Sequence, residues 1–234
     1  MAADADPAVT YSSYLALDEV LGAQRPRTDE HDELLFIVVH QIYELWFKQL
    51  LHELRYLQAR MESGDTAHVL STARRVLTIL KTVVAQIDVL ETMTPRQFTS
   101  FRTRLEAASG FQSKQFRELE ALLGARPGDG PTVFDSLLAY LRTQGYAVDA
   151  DAGPRSVQQT LLAVYGDDGE PAQVCERLVD LDEGMQEWRY RHLKMVERTI
   201  GAKPGTGGSA GAEYLRTTIL QPVFPDLWAI RSEL

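Results

Sequence analysis

The fold is decided by one stretch, Asp29 to Arg60, which reads DEHDELLFIVVHQIYELWFKQLLHELRYLQAR. Its apolar residues recur at alternating steps of four and three, the spacing of one face of an α-helix. The stripe is formed by Phe36, His40, Tyr43, Phe47, Leu50, Leu54 and Leu57. Because Leu34 to Val39 is apolar on every side, we expect that part of the helix to be buried all round.

The same periodicity extends outward from this helix along most of the chain. It predicts further helices over 66–90, 94–107, 112–123, 132–142 and 171–200. The sequence Thr94-Pro95-Arg96-Gln97 marks one start, since threonine and glutamine at this spacing cap a helix and proline suits its first position. Glycine and proline predict loops over 124–131 and 145–154, and no segment has a convincing strand alternation. The sequence therefore predicts an all-α fold, a helical bundle.

Composition limits the number of domains and the kinds of partner. A chain of 234 residues with 44% hydrophobic and 24% charged residues is typical of a globular protein, and we expect a single domain over 1–234. A net charge of −9 argues against a protein that neutralises nucleic-acid phosphates or anionic lipid. The start of the chain has no apolar signal core, and no run approaches the length needed to span a bilayer, so we expect a cytoplasmic protein without a membrane partner. The single cysteine, Cys175, cannot form an internal disulfide or a thiolate metal cage.

Two histidines, His40 and His192, occupy helical stripe positions that would normally hold leucine. Each is either a neutral core histidine that donates to a backbone carbonyl, or part of a site in which one binds a metal or haem and the other faces a ligand. One histidine suffices for haem, because the porphyrin supplies the other four nitrogens. Bare zinc or non-haem iron would need further ligands, and no local motif provides them. The other histidines, His31, His52 and His68, have polar surroundings that predict surface positions.

Two further features are candidates for ligand contact. Arg102 lies one turn after Phe98 and shortly before Leu105, so its guanidinium sits on a partly apolar face. It is either an exposed arginine with an apolar stem or a bidentate partner for a carboxylate. The loop from Gly205 to Gly211, in which four of seven residues are glycine, is either a flexible connector or a loop whose backbone approaches a ligand.

Four segments in the correct order make this sequence similar to the tryptophan 2,3-dioxygenase family. They are YSSYLALD from Tyr11, HDELLFIVVHQIYELWFK from His31, FTSFR from Phe98 with ASGFQS from Ala108, and WRYRH from Trp188 with GTGGS from Gly205. The resemblance covers most of the chain and is weaker over 124–171. It implies an α-helical homotetramer that contains haem b with ferrous iron and uses O2 to open the indole C2–C3 bond of L-tryptophan. The product would be N-formylkynurenine, in the first step of tryptophan degradation by the kynurenine route.

The resemblance also implies a role for each histidine and for the haem edge. His192 would be the axial ligand of the haem iron, and His40 would lie on the opposite, O2-binding side. There His40 would hydrogen-bond the indole N–H and orient the ring, which is positioning rather than obligatory base catalysis. Ser109 and Gly110 would lie beside the haem edge.

Substrate-binding residues follow from the same resemblance. Arg102 would grip the substrate carboxylate, and Thr206 would contact the ammonium and carboxylate groups. Phe36 and Leu105 would help to wall the indole pocket. Phe98 stands where some members carry tyrosine, so Arg102 and Thr206 would bear more of the carboxylate contact.

The N-terminal segment matches residues that reach into a neighbouring subunit. Tyr11, Tyr14 and Leu15 would complete the pocket of that neighbour, so a monomer would be poorly active. Three other functions remain open at this point: a superfamily monooxygenase that acts on a substituted tryptophan or related aromatic amino acid in secondary metabolism, a non-catalytic haem sensor or carrier, and a cofactor-free structural bundle.

Overall fold

The computed structural model describes residues 8–206 and 211–234, and the regular structure in these ranges is entirely helical. The prediction of an all-α fold is therefore confirmed. The α-helices are α1 (Tyr11–Leu15), α2 (Leu17–Leu21), α3 (His31–Glu62), α4 (Thr66–Ala85), α5 (Ile87–Glu91), α6 (Pro95–Arg102), α7 (Lys114–Leu122), α8 (Val133–Thr143), α9 (Pro154–Gly166), α10 (Glu170–Ile200), α11 (Ala212–Thr218) and α12 (Pro225–Ala229). Short 3-10 turns cover Thr103–Leu105, Gly110–Gln112 and Ile230–Ser232.

Three long helices form the centre of the protein. Helix α4 packs against both α3 and α10, while α7 and α8 cover α3. The buried stripes of α3 and α4 meet in one core that includes Leu54, Leu57 and Val76. Gly184 permits the close approach of α10 to α4, because a Cβ atom there would lie 2.7 Å from Leu80 Cδ2. Helix α10, which carries His192, is thereby held against the core.

The predicted helix over 66–90 is divided in two. Helix α4 ends at Ala85 and α5 begins at Ile87. The Tyr43 hydroxyl donates to the carbonyl of Val83 at 2.9 Å. In a continuous helix that carbonyl would accept from the amide of residue 87, so a core tyrosine competes with the helix at this point. The prediction of one continuous helix was wrong because this contact comes from a distant residue.

The end of α6 and the presence of α9 also differ from the predictions. Helix α6 begins with the predicted capping box of Thr94 and Gln97, but it ends at Arg102 and not near residue 107. A 3-10 turn and a positive φ of 50° at Glu106 follow it. Helix α9 was missed, although Pro154 at its first position and the apolar spacing of its buried residues are signals for a helix.

The apolar run at the start of α3 is not buried all round. Val39 is buried, but Leu34 is 48% exposed and residues 35–38 are partly exposed. In the first turns of α3, Leu35 packs against the central core, while Phe36 packs near Phe98 and lines a cavity. The apolar composition of the run therefore reflects two different surfaces and not burial on every side.

Among the described residues, one helix has the length and composition of a membrane span. It is α3, which contains a window of mean hydropathy 1.2 that is 28% buried. The expectation that no run approaches this composition was therefore wrong for α3. A core helix can have the same composition, and α3 packs against α4, α7 and α8.

Candidate active site

A cavity of about 950 Å³, measured with its open mouth, lies where α3, α5, α6 and α10 meet. Its walls are mostly apolar, with a few polar side chains that converge from different helices. The predicted site residues at its surface are Phe36, His40, Phe98, Arg102, Ser109, Gly110, His192 and Thr206. Residues from three of the four segments that carry the resemblance are thus brought into one site.

His40 enters the cavity from α3 in a defined tautomer. Its Nδ1 lies 2.7 Å from the carbonyl oxygen of Phe36, one turn earlier. Because a carbonyl can only accept, Nδ1 carries the proton and Nε2 keeps its lone pair in the neutral ring. Desolvation by the cavity walls lowers the pKa of His40, although its ring keeps solvent access through the open mouth. The bond to a backbone carbonyl expected of a core histidine is present, and it leaves Nε2 available to a ligand.

His192 enters from α10 in a different environment. Its ring stacks on the indole of Trp188, with centroids 5.1 Å apart and planes 11° from parallel. Neither ring nitrogen hydrogen-bonds a residue in the described ranges. Burial, with a smaller contribution from the charge of His40, lowers the pKa of His192 to about 4. The ring is therefore neutral near pH 7 and has a lone pair for a metal.

The residues present fit haem better than a bare metal ion. Within the described ranges, no group of three histidine, cysteine or acidic side chains is placed to hold a metal. A porphyrin needs only one protein ligand, because it supplies four nitrogens itself. Leu90, Met93 and Met195 add apolar surface to the cavity that His192 enters. A neutral imidazole beside such walls is the environment that an axial haem ligand requires.

Arg102 and Thr206 are far apart in the sequence, and both line the same cavity. Arg102 ends α6 and donates from Nη2 to the carbonyl of Pro204. This bond ties α6 to the segment that carries Thr206. A guanidinium has five N–H donors, so others remain for a carboxylate. The predicted glycine-rich loop continues through residues 207–210, which lie outside the described ranges.

Three phenylalanines form an aromatic wall next to His40. Phe36 lies 4.1 Å from His40 between ring centroids, and Phe98 and Phe101 each lie 5.7 Å from Phe36. Phe98 is buried and reaches the cavity surface. Leu105 packs against this cluster but does not line the cavity. The structure therefore places Leu105 behind the wall.

The haem-edge candidates lie at a loop next to the cavity. Ser109 caps the 3-10 turn Gly110–Gln112, and both Ser109 and Gly110 line the cavity. A Cβ atom at Gly110 would have no neighbour within 4 Å, so the space beside it is open. A planar group can approach the backbone closely at such a position.

The N-terminal candidates lie outside the cavity of their own chain. Tyr11, Tyr14 and Leu15, on α1, are 76%, 79% and 40% exposed. The chain after them is anchored to α3, because the buried carboxylate of Glu33 accepts from the backbone amides of Arg27 and Thr28. The N-terminal segment that precedes Arg27, called the arm below, therefore has exposed aromatic side chains.

Several cavity residues were not identified from the sequence. Met195, Val196 and Thr199 lie three, four and seven residues after His192 and therefore share its helix face. That spacing was a usable signal. Phe111 and Leu215 also line the cavity, but they lie on loop and short-helix segments where periodicity gives no information.

The fold and the cavity define a class of protein: an α-helical protein with a largely apolar cavity that is lined by two helix-borne histidines. The family model described as Tryptophan 2,3-dioxygenase matches residues 2–129 and 151–234. The chain belongs to the tryptophan 2,3-dioxygenase family, whose members are oxidoreductases. The gap in the match, 130–150, falls within the segment where the resemblance was expected to be weaker.

Individual relatives agree over nearly the whole chain. A protein named Tryptophan 2,3-dioxygenase from Anaeromyxobacter sp. (strain K) is 64% identical, over 97% of this chain and 97% of its own length. The protein of the same name from Herpetosiphon aurantiacus is 54% identical, over 97% of this chain and 99% of its own. That from Caulobacter vibrioides is 40% identical, over 97% and 98%.

Proposed function

We propose that this enzyme opens the indole C2–C3 bond of L-tryptophan with O2 to give N-formylkynurenine, the first step of tryptophan degradation by the kynurenine route. Haem b, held by His192, would supply the ferrous iron that binds and activates O2. The observation that carries the proposal is the arrangement of His40 and His192 around one apolar cavity in a member of this family. His192 would hold the haem iron because its ring is neutral near pH 7 and no described residue hydrogen-bonds its nitrogens.

His40 would orient the indole ring. With the proton on Nδ1, its Nε2 can accept a hydrogen bond from the indole N–H. A lowered pKa makes His40 a weak base, which suits a hydrogen-bond acceptor better than a group that must remove a proton. The adjacent ring of Phe36 offers an apolar surface to the indole. His40 therefore contributes by holding the reacting bond in place.

Arg102 and Thr206 would bind the amino-acid end of the substrate. The planar guanidinium of Arg102 suits bidentate contact with the carboxylate, and Thr206 adds a hydroxyl for the carboxylate and ammonium groups. Phe98 has no hydroxyl to add to this contact. Leu105 would act on the indole pocket only through the aromatic wall in front of it. Ser109 and Gly110 would border the haem edge.

The active assembly would be a homotetramer in which each arm completes a neighbouring site. Tyr11, Tyr14 and Leu15 are exposed on their own chain and do not line its cavity. Burial of such apolar side chains against a second copy is favourable by roughly 25 cal/mol per Å². We therefore expect the isolated monomer to be poorly active.

The test is the mass of the product. The haem-loaded enzyme is reduced without oxygen, and O2 and L-tryptophan are then added. We expect a product that has gained two oxygen atoms and shows ring opening. A gain of one oxygen atom would instead support the monooxygenase, and a ferrous spectrum that L-tryptophan leaves unchanged would support a haem carrier.

A further inference from the structure

Within residues 8–206 and 211–234, no protein group makes the hydrogen bond to His192 that usually orients a metal-binding histidine. In most metal sites the second ring nitrogen donates to a carboxylate, a carbonyl or a water, which fixes the ring and raises its basicity. His40 has such a bond, to the carbonyl one turn earlier, at 2.7 Å. For His192 the equivalent carbonyl belongs to Trp188, and it accepts no bond from the ring. No other described residue takes its place.

The side chain of Trp188 occupies the position of the missing partner. Its indole lies one turn before His192 on α10, nearly parallel to the imidazole at 11° and 5.1 Å. A stack of this kind restricts rotation of the imidazole about its bond to Cβ, because turning the ring would drive its edge into the indole face. The contact therefore sets the same angle that a hydrogen bond would set.

Trp188 is itself held in place by packing. Its ring centroid lies 4.9 Å from Phe116 and 6.4 Å from Phe47, and the side chain is 9% exposed. Its indole nitrogen is buried and makes only a loose contact, with the Tyr43 hydroxyl. The packed indole therefore presents a fixed flat face to the His192 ring.

We infer that Trp188 is a positioning residue for the haem ligand: its indole face orients His192 in place of a hydrogen bond. This rests on the proposed function, in which His192 binds the haem iron. Trp188 thus acts on the geometry of the ligand.

The test compares Trp188→Leu and Trp188→Phe in the full chain, with Trp46→Leu as the matched control. Trp46 is a partly buried tryptophan on α3 that packs against the same core and does not line the cavity. Haem is titrated into the haem-free chain, and the iron–histidine stretching frequency is measured by resonance Raman in the ferrous, substrate-free state. For Trp188→Leu we expect about tenfold weaker haem binding and a shifted or broadened band. Trp188→Phe keeps an aromatic face and should recover most of both, while Trp46→Leu should change neither by more than about twofold.

The outcomes separate this inference from the proposed function. If Trp188→Leu keeps the wild-type band and affinity while His192→Ala loses the band, the inference is wrong and His192 remains the ligand. If the wild-type chain has no iron–histidine band, or His192→Ala retains it, the proposed function itself fails. Should Trp188→Leu not fold, Trp188→Met replaces it, because methionine fills similar space without an aromatic face.

Discussion

Asp182 provides the sharpest test of how the cavity wall is held, and we expect Asp182→Ala to loosen the C-terminal segment. The carboxylate is fully buried on α10, ten residues before His192. Its Oδ2 accepts from the Phe224 amide at 2.8 Å and from the Trp228 indole nitrogen at 2.9 Å, and its Oδ1 accepts from Gln186 at 2.9 Å. One side chain thus fastens residues 224–228 to the helix that carries the proposed haem ligand.

The expected cost follows from what alanine leaves unpaired. The Phe224 amide is buried with no route to water, so losing its acceptor costs about 1–3 kcal/mol. Trp228 is 37% exposed, and its indole N–H can reach solvent at a smaller cost. We therefore expect Asp182→Ala to lower the free energy of unfolding by about 2–4 kcal/mol. Asp182→Asn keeps one acceptor oxygen for both donors and should cost only about 1 kcal/mol.

The assay is urea unfolding of the haem-free chain, combined with amide hydrogen exchange. Exchange should accelerate over 222–228 in Asp182→Ala and stay slow in the centre of α4. Because Gly211 and Leu215 line the cavity just before this segment, haem should also dissociate faster. An alanine variant within about 0.5 kcal/mol of wild type, or an asparagine variant as unstable as the alanine one, would refute the reasoning.

Four further outcomes are expected. His192→Ala should lose stable haem retention, seen as a lost Soret band after gel filtration, whereas a retained band would exclude His192 as the ligand. Arg102→Ala should keep haem but raise KM by roughly 30-fold or more, since a paired charged contact contributes about 2–5 kcal/mol; unchanged saturation kinetics would contradict this role. Protonation of His40 removes its acceptor, and burial lowers its pKa, so the rise of KM on acidification should set in at a lower pH than an ordinary histidine would titrate; a rise centred at or above the ordinary histidine pKa would oppose the assignment. Burial raises the pKa of Cys175 to about 12, so its thiol should resist maleimide until the chain unfolds, and rapid native labelling would contradict this.

Much of the fold and the two central histidines could be predicted because helical periodicity reports which face of a helix is apolar. His40 and His192 were found in this way, as was the start of α6 at Thr94. Periodicity does not report which helix packs against that face. The break before Ile87 depends on a hydroxyl from Tyr43, more than 40 residues earlier in the chain, and no local pattern contains that information.

The sequence did not indicate which charged side chains are buried. Asp182 and Arg189 look like ordinary surface residues of a charged helix, yet both are buried. Arg189 donates to the carbonyls of Thr218 and Gln221, at 3.3 and 2.8 Å, and so holds the end of α11. Most of their partners, among them the backbone groups of Thr218, Gln221 and Phe224, lie about 30 to 45 residues later and have no sequence signature.

One local sequence pattern recurs in three of the helices that line the cavity. Each of three helices contributes an aromatic residue followed, four positions later, by a polar one: Phe36 and His40, Phe98 and Arg102, Trp188 and His192. Residues at this spacing are neighbours on a helix, and side chains lean toward its N-terminus, so the later residue rests beside the aromatic ring. The rings of Phe36 and Trp188 do lie 4.1 and 5.1 Å from their histidines. An aromatic residue one turn before a polar group both shields that group from water and limits its rotation, which is what a site built from neutral imidazoles needs.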